Sequence, residues 1–496
     1  MMQYCFKYAL LLVTTCSFAL VRPVVAVAEK PAAVERPNIL LVFTDDQRAD
    51  TIHALGNPAI ITPNLDRLTE RGFVFNNAYI MGSNSPAVCL PSRNMLMSGR
   101  AYFHFRRYKL PDRRHPFPYA SPEEPNVPTT LGTAGYETYH HGKKGNTARR
   151  IHPLFDHTKY VTHHSVLKNG QPGKVVVDRA IDFLKHRKTD KPFVMYLAFS
   201  EPHDPRVSAQ EYRDMYDRDE IPLPKNYLPI HPFDNGEMTI RDERLEKWPR
   251  TKDAIRRHLH DYYAMITGLD HHIGRLFQAL KDQGLYDNTI VVFASDNGLA
   301  LGSHGLMGKQ SVYEHSVKVP LIVAGPSIPH GDSDALVYLL DLFPTFCEWA
   351  GTPVPEELDG KSLAPIIAGR SEKVRDTAFF AYRGVQRAVR DGCWKLICYP
   401  RIDRTQLFDL STDPDETHDL SADPAQARRI ESMMKLMRRW QERLGDDAPL
   451  VVDQPADGRW TPPARKPKKN KAISGRRNDR SRSIVFNEVN LLHGSP

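Results

Sequence analysis

The sequence predicts an α/β protein in which a doubly wound, mostly parallel sheet lies between helices, with a smaller C-terminal α+β subdomain beside it. Three observations support this fold class. Several hydrophobic runs are apolar at every position, helical patterns alternate with these runs, and the pattern changes beyond Gly351. A chain of 496 residues, 41% of them hydrophobic and 25% charged, can bury the cores of about two to three domains.

The predicted strands of the sheet are apolar runs at residues 38–43, 193–199, 289–294 and 319–324. Runs of this kind are typical of parallel strands that helices cover on both faces. Ligands of doubly wound sheets bind at the carboxyl ends of the strands, so we expect the polar residues that follow the strands to meet there. These polar clusters are Thr44-Asp45-Asp46, Ser200-Glu201-Pro202-His203 and Ser295-Asp296-Asn297-Gly298.

Helical patterns lie between the strands. Thr62 and Pro63 predict a helix start, with proline at the first helical position, and Gly72 predicts its end. Residues 342–350, before Gly351, form a further predicted helix. Apolar residues at three-to-four spacing predict one face of a long helix, and they are Leu259, Tyr263, Ile266, Leu269, Ile273, Leu276 and Leu280. Strands that alternate with helices indicate the doubly wound arrangement.

Beyond Gly351 the sequence predicts short strands at 377–382, 386–390 and 394–399, followed by an amphipathic helix at 426–444. The predicted organisation is a signal peptide over residues 1–28, an N-terminal domain over 36–351, the α+β subdomain over 352–445 and a basic tail over 446–496. Low apolar content and high charge predict that the tail is disordered.

The formal net charge of +8 raises the question of a nucleic-acid partner. Much of the excess lies in the tail, at residues 465–471 and at Arg476, Arg477 and Arg480. A basic, proline-rich run near a terminus is typical of a solvated tail and occasionally tethers a polyanion. We therefore expect no nucleic-acid partner for the body of the protein.

The first 28 residues predict a signal peptide, and hence export to the periplasm or beyond the cell. Lys7 supplies a positive charge, residues 8–21 an apolar stretch, and Ala26-Val27-Ala28 a small-x-small cleavage site. Without Tyr8 the apolar run is only about a dozen residues, short of the roughly 20 that a spanning helix needs, so we expect no stable membrane insertion.

Beyond the signal peptide the cysteines are Cys89, Cys347, Cys393 and Cys398. So few cysteines in an exported protein of this size do not form a disulfide framework. We expect Cys347 and Cys393 to be buried as small hydrophobic residues. Cys89 begins the most specific string of the chain, Cys89-Leu90-Pro91-Ser92-Arg93. Alone, this string also fits a buried cysteine before a helix that starts with proline.

Together with matches in other loops, this string resembles the type I sulfatase family, the formylglycine-dependent members of the alkaline-phosphatase superfamily. The resemblance covers roughly residues 37–423 and implies the sulfatase fold and the hydrolysis of sulfuric esters. The other matching strings are Asp45-Asp46, Gly142-Lys143, Pro202-His203, Ser295-Asp296-Asn297-Gly298, Gly308-Lys309, Asp341-Leu342-Phe343-Pro344-Thr345, Val389-Arg390-Asp391-Gly392 and Leu407-Phe408-Asp409-Leu410.

The resemblance implies one bound calcium ion. Calcium takes six to eight oxygen ligands, often from carboxylates and side-chain amides, and oxygen ligands without histidine or thiolate disfavour zinc. Either acidic pair alone would also fit a turn or a helix cap. The implied ligands are Asp45, Asp46, Asp296, Asn297 and the modified residue that replaces Cys89.

In the family, a formylglycine-generating enzyme oxidises the cysteine of this string to an aldehyde, so that enzyme is the expected partner during maturation. One hydroxyl of the aldehyde hydrate attacks sulfur, and the other later expels sulfate. The resemblance implies that Arg93 steadies this hydrate and that Lys143 and Lys309 bind sulfate oxygens. His203, together with Lys309, would assist the leaving oxygen.

One position departs from the family pattern. The family usually continues Gly-Lys-x-His, and this histidine helps the hemiacetal to collapse, whereas here Gly145 follows Lys143 and Lys144. His140, His141 and Lys144 are the candidates to replace it.

Two alternatives stay open from the sequence. A phosphodiester or phosphonate monoester hydrolase shares the superfamily fold, and an inactive sulfatase-like glycan-binding protein would explain Gly145. Four ligands from only two loops favour one calcium site and hence sulfate. The expected substrate is a sulfated small molecule or glycan. His141, Arg206 and the basic segment at residues 106–114 are candidate subsite residues.

Overall fold

The computed structural model describes residues 36–105, 119–161 and 170–463. The predicted signal peptide, the basic segment at 106–114 and the tail beyond residue 463 lie outside these residues. The strands are β1 (Asn38–Thr44), β2 (Phe73–Tyr79), β3 (Gly82–Ser83), β4 (Glu137–Lys143), β5 (His157–Val161), β6 (Phe193–Ala198), β7 (Thr289–Ser295), β8 (Leu321–Ala324), β9 (Gly331–Tyr338), β10 (Thr377–Tyr382), β11 (Gln386–Asp391), β12 (Trp394–Tyr399) and β13 (Arg404–Asp409).

The α-helices lie mostly between the strands of the larger sheet. They are α1 (Pro63–Arg71), α2 (Cys89–Ser98), α3 (Val127–Thr133), α4 (Lys174–His186), α5 (Gln210–Arg213), α6 (Lys252–Asp282), α7 (Glu314–Val317), α8 (Leu342–Trp349), α9 (Ala364–Ile367) and α10 (Ala427–Leu444). Among the described residues, none of these helices is both long enough and apolar enough to cross a membrane.

The larger sheet has the strand order β5-β4-β6-β1-β7-β8-β2-β9. Its pairs are parallel except those that involve β8, which runs antiparallel to β7 and to β2. The predicted mostly parallel α/β sheet is therefore confirmed, but the prediction that residues 319–324 form another parallel strand is wrong. No helix crosses the sheet between β7 and β8. The chain stays at the carboxyl edge over residues 296–320 and returns from there.

The continuous apolar runs are buried on both faces of the larger sheet, as predicted. In β1, Ile39, Leu41 and Phe43 pack into one hydrophobic core, and Leu40 and Val42 pack into a second core on the opposite face. The alternation follows from the two-residue period of a strand. It explains why residues 39–43 are apolar at every position.

The long helix α6 carries the predicted apolar face, and all seven of its predicted residues are buried. At the start of α1, Thr62 takes the predicted N-cap position, but its hydroxyl does not bind a helix amide. It donates instead to the Asp66 carboxylate at 3.0 Å and accepts the His53 backbone N–H at 2.9 Å. The helix boundaries were thus predictable, while this hydrogen bond was not.

The C-terminal subdomain contains a sheet of order β13-β12-β11-β10-β3, in which β3 comes from the N-terminal domain. Residues 446–463 follow this subdomain, and several of them contact it or the N-terminal domain. The ordered region therefore extends past the boundary predicted at residue 445. Asp446 pairs with Arg387, and the Ala456 N–H donates to the Arg401 carbonyl at 2.8 Å. The sequence placed these residues in the disordered tail because few of them are apolar.

Candidate active site and metal centre

The carboxyl ends of four neighbouring strands bring most of the predicted site residues together. Thr44 of β1 pairs with Ser295 of β7, and Gly142 of β4 pairs with Ala198 of β6, so these strands end at the same edge. Asp45, Asp46, Lys143, His203, Asp296 and Asn297 lie at or just beyond these strand ends. Cys89 comes from the start of α2, and Lys309 comes from the loop between β7 and β8.

The acidic residues after β1 and β7 contact each other directly. Asp46 has a φ of 65°, in the left-handed region, and its backbone N–H donates to the Asp296 carboxylate at 3.1 Å. Its own carboxylate accepts a hydrogen bond of 2.7 Å from the Asn297 amide. The unusual backbone conformation therefore turns Asp46 towards the loop that follows β7.

Two buried oxygen atoms of this group have no hydrogen-bond partner among the described residues, Oδ1 of Asp45 and Oδ1 of Asn297. A buried polar atom without a partner is costly, so such atoms call for an explanation. Possible ligand atoms of Asp45, Cys89 and Asp296 all lie within 4.8 Å of one another, as do those of Asp45, Asp46 and His203. Free oxygens in an acidic cluster of this size fit a hard cation such as calcium.

Cys89 is the first residue of α2 and is fully buried. The Lys143 ammonium lies 3.5 Å from its sulfur. Burial raises the pKa of the thiol to about 11, although Lys143 opposes this shift. Because only the thiolate is a good nucleophile, an unmodified Cys89 would react poorly near neutral pH.

Arg93 follows Cys89 by one helical turn and is also fully buried. Its Nε donates to the Asp296 carboxylate at 2.7 Å, and its Nη2 lies 3.4 Å from the Asp45 carboxylate. A further hydrogen bond of 3.2 Å reaches the Tyr196 hydroxyl. Arg93 therefore holds the carboxylates on two different loops in fixed positions.

Two lysines complete the group. The Lys143 ammonium pairs with Asp45, and the Lys309 ammonium pairs with Asp46. Burial raises the pKa of the Asp45 carboxyl, but Lys143 and Arg93 more than offset this and hold it below its ordinary value. For Lys309 burial acts in the opposite direction and lowers the pKa. The Asp46 carboxylate more than offsets this, so the pKa of Lys309 is well above its usual value. Both lysines are therefore cationic at neutral pH.

Glycine precedes each of these lysines because a side chain there would clash with neighbouring atoms. A Cβ atom on Gly142, whose φ is 151°, would lie 1.9 Å from the Ala198 carbonyl oxygen. A Cβ atom on Gly308 would lie 2.3 Å from the Gln310 side-chain oxygen. The two Gly-Lys strings thus reflect close packing beside the site, against backbone at Gly142 and against side chains at Gly308.

His203 lies at the rim, with 18% of its side chain exposed. Its Nδ1 lies 2.6 Å from the Asp204 carbonyl oxygen. A carbonyl only accepts hydrogen bonds, so Nδ1 carries the hydrogen and Nε2, which lies 3.8 Å from the Asp46 carboxylate, is free to exchange a proton. Burial lowers the pKa of this histidine, although Asp46 opposes the shift.

No side chain occupies the position of the family histidine in this chain. Gly145 is exposed, and a Cβ atom on it would meet nothing within 4 Å. His140 packs against the His152 ring at 3.9 Å and the Tyr196 ring at 5.3 Å, inside the core. Lys144 is exposed. Neither of these two residues has a described contact with Cys89.

Sequence reasoning missed some of the residues that surround the site. Gln47 is fully buried, and both polar atoms of its side chain have no hydrogen-bond partner among the described residues. It follows Asp46 directly, so the polar cluster after β1 could have been extended to include it. The hydroxyl of Tyr262, on α6, donates to the Asp46 carbonyl. No local motif marks this tyrosine.

Comparisons with known proteins agree with this arrangement. A family model described as Sulfatase matches residues 37–352, and one described as N-sulphoglucosamine sulphohydrolase, C-terminal, matches residues 302–443. The chain is 26% identical to the N-acetylglucosamine-6-O-sulfatase of Bacteroides thetaiotaomicron over 502 residues. That match covers 84% of this chain and 88% of the relative.

Solved structures share the fold. One, a complex with its substrate D-glucosamine-2-N,6-O-disulfate, has a TM-score of 0.70 at 24% identity and covers 84% of this chain and 99% of its own. The phosphonate monoester hydrolase of Silicibacter pomeroyi has a TM-score of 0.69 at 22% identity, with coverage of 83% and 96%. At these identities the likeness establishes the architecture alone.

Proposed function

This chain belongs to the sulfatase family and is a sulfatase, and we propose that it removes sulfate from a sulfated carbohydrate. We further propose that the nucleophile is a formylglycine made from Cys89 and that one calcium ion assists. The observation that carries this proposal is the pair of unpartnered buried oxygens on Asp45 and Asn297, in an acidic group that also includes Cys89.

The residues that would hold calcium are Asp45, Asp46, Asp296, Asn297 and the modified residue 89. When bound, the ion would supply positive charge to the oxygens of the sulfate group. The chemistry of the donors supports this choice, because carboxylate and amide oxygens are the ligands that calcium prefers. The Lys143 and Lys309 ammonium groups lie against Asp45 and Asp46.

The side chains around the proposed metal site would each have a separate role in the reaction. The sulfur of Cys89 marks the place where the modified residue would carry its hydroxyls, and Arg93 fixes the carboxylates around it. Lys143 and Lys309 would bind sulfate oxygens. In the doubly protonated imidazolium, Nε2 of His203 would give its proton to the leaving oxygen, while the Nδ1 hydrogen stays on the Asp204 carbonyl.

The proposed substrate class rests on the relatives. One relative is named N-acetylglucosamine-6-O-sulfatase, and the C-terminal match is described as N-sulphoglucosamine sulphohydrolase. Phosphonate monoester hydrolysis is the second candidate, because a hydrolase of that class shares the fold. We also propose that the protein is exported and that a formylglycine-generating enzyme modifies Cys89 during maturation.

Turnover of defined sulfated saccharides, with desulfation followed by mass, tests the proposed function. We expect the wild type to release sulfate with a higher kcat/KM than for aryl phosphonate monoesters at the same pH. A preference for phosphonate monoesters would favour the second candidate. Saccharide binding without turnover, in protein whose residue 89 is modified, would identify a glycan-binding protein instead.

Cys89→Ala should abolish this turnover, because the variant lacks any oxygen nucleophile at residue 89. It should still bind sulfated saccharides within a few-fold of the wild type, since Lys143, His203 and Lys309 remain, and calorimetry can measure this affinity. Cys347→Ala is the matched control, because Cys347 is also a buried free cysteine but lies on α8, away from the site. Sulfatase turnover by Cys89→Ala would contradict the proposal.

A further inference from the structure

A buried ion pair lies behind the Lys309 loop and has no part in the reaction as proposed above. Glu243 is 4% exposed and Arg250 is fully buried, and the two side chains pair with each other. Removing a charged pair from water is expensive unless further hydrogen bonds satisfy both groups. The partners of this pair therefore indicate what it holds in place.

Both members bind the backbone just before Lys309. The Glu243 carboxylate accepts the Met307 N–H at 3.1 Å and the Gly308 N–H at 2.8 Å. Arg250 donates to the Gly305 carbonyl at 2.7 Å and to the Glu243 carbonyl at 3.0 Å. This pair of side chains thus holds residues 305–308, in addition to the backbone hydrogen bonds that residues 300–302 donate to the carbonyls of residues 306–308.

The backbone after Lys309 is held by a second set of contacts. The Gln310 side-chain amide donates to the Asp242 carboxylate at 2.7 Å and to the Pro86 carbonyl at 3.1 Å. Its oxygen accepts the Lys309 backbone N–H at 3.0 Å. Pro86 lies three residues before Cys89, so these contacts link the two loops that carry the proposed chemistry.

Arg250 is itself supported by aromatic rings. Its guanidinium lies 4.7 Å from the centre of the Trp248 ring, and Trp248 contacts Trp460 edge-on, with 5.9 Å between ring centres. Trp460 belongs to the segment that follows α10. The contacts that hold the Lys309 loop in place therefore include a residue near the C-terminal end of the described chain.

We infer that Glu243 is a positioning residue, which fixes the backbone before Lys309 so that its ammonium stays at the sulfate and the leaving oxygen. This inference rests on the proposed function. Without the Glu243 carboxylate, two buried N–H groups lose their acceptor and the loop can shift. A shift of about 1 Å in a catalytic group reduces the rate on the order of 10²-fold.

The test uses a variant that removes the pair but is expected to fold. Glu243→Leu combined with Arg250→Met replaces the two charges with apolar groups of similar size, so that neither charge is left buried without its partner. Glu243→Gln is the conservative variant, because its one oxygen can still accept from Met307 and Gly308. Arg387→Met with Asp446→Leu is the matched control, since that pair is equally buried but lies in the C-terminal subdomain.

The readout is kcat for a series of aryl sulfates whose phenols differ in pKa. Phenols of low pKa leave without a proton, whereas phenols of high pKa need help from Lys309 and His203. In the double variant we expect a loss of less than about 10-fold for the most acidic phenol and of about 10²-fold for the least acidic. Glu243→Gln should recover most of that loss, and the control variant should keep the wild-type dependence.

Two results would overturn the role of Glu243. One is wild-type kcat across the series in the double variant, and the other is a uniform loss that does not depend on the phenol. A wild type that hydrolyses no sulfate ester, although its residue 89 is modified and calcium is present, would overturn the proposed function instead. The two failures are therefore distinguishable in one set of assays.

Discussion

Two of the buried clusters of charged groups among the described residues differ in how far their oxygen atoms are partnered. The active-site cluster is at the carboxyl edge of the larger sheet, and the interface cluster is where the C-terminal subdomain meets the N-terminal domain. The active-site cluster comprises Asp45, Asp46, Arg93, Lys143, Asp296 and Lys309, and the interface cluster comprises Glu314, Lys395 and Glu416.

In the interface cluster one ammonium serves two carboxylates. Lys395, whose side chain is fully buried, lies 2.8 Å from Glu314 and 2.8 Å from Glu416. The Tyr79 hydroxyl donates to Glu314 at 2.7 Å, and the Glu314 backbone N–H donates to Glu416 at 2.7 Å. These contacts pair every member of the cluster within the chain, and Oε1 of Glu416, which accepts no hydrogen bond among the described residues, lies 2.8 Å from the Lys395 ammonium.

The active-site cluster is not satisfied in this way. Oδ1 of Asp45, and Oδ1 of Asn297 beside the cluster, are buried without a hydrogen-bond partner among the described residues, although three cationic side chains lie among the carboxylates. The difference teaches that burial of charge alone does not identify a site. Unpartnered acceptors beside charged groups are the more informative signal, because folding by itself would not favour them.

Asp296→Ala should have the largest effect, because it removes a proposed calcium ligand and a partner of Arg93. We expect turnover to fall by on the order of 10³-fold or more, as when a charge partner of the transition state is removed. Calcium at 100 times its Kd should stabilise the wild type by about 2.7 kcal/mol and should not stabilise the variant. Thermal unfolding with calcium and with a chelator measures this difference.

Asp296→Asn is the control for size, since it keeps one oxygen ligand and should retain part of the calcium response. An Asp296→Ala variant that calcium stabilises as strongly as the wild type would rule out this metal site.

Lys395→Met should reduce stability rather than chemistry, because it leaves two buried carboxylates without their cation. Breaking a buried pair in this way costs about 3–5 kcal/mol. The calcium response should persist, since the active-site cluster is unchanged. Chemical denaturation with and without calcium separates the two effects. Loss of the calcium response in Lys395→Met would show that the two clusters are not independent.

The effect of Lys395→Met should depend on pH. Burial raises the pKa of both carboxyls, but Lys395 and Arg390 more than offset this for Glu314 and bring its pKa to about 2, while that of Glu416 stays raised, at about 7. Glu314 therefore stabilises the wild type above its unfolded-state pKa of about 4.3, and this contribution is lost as pH falls towards 2.

Without Lys395 both carboxyls bind protons more readily. The stability difference between wild type and variant should be largest above about pH 7 and should shrink towards pH 4, where protonated carboxyls are less costly to bury. Denaturation midpoints measured across this range test the sign. A difference that grows as pH falls would contradict the assignment of charges.

Lys435→Ala should have the smallest effect. Lys435 and Glu431 form an ion pair on the outer face of α10, with 63% and 65% of their side chains exposed. Exposed pairs of this kind contribute little to stability, because water and salt screen the two charges. A loss of stability as large as that of Lys395→Met would show that exposure does not distinguish this pair from the buried clusters.

The sequence was sufficient to predict four strands of the eight-stranded sheet and the meeting of the site residues, because both depend on local patterns. Apolar runs identify strands covered on both faces, and polar residues after those runs lie at one edge of a parallel sheet. The direction of β8 was not predictable, because it depends on the path of residues 296–320 rather than on the composition of the strand.

The surroundings of the site were harder to predict. Glu243 contacts Met307 and Gly308 from 64 and 65 residues away in the sequence, in a region without a motif. The packing of residues 446–463 was missed for a related reason. An ion pair, backbone hydrogen bonds and one tryptophan hold this segment, and none of these contacts produces a periodic pattern of apolar residues.

The most direct test of this account is the mass of the tryptic peptide that spans residues 72–93, taken from a preparation with measured sulfatase turnover. Expression together with a formylglycine-generating enzyme ensures that modification is possible. We predict that the peptide carries an aldehyde at residue 89, with the sulfur of the thiol replaced by oxygen. An unmodified thiol at residue 89 in fully active protein would contradict the central claim.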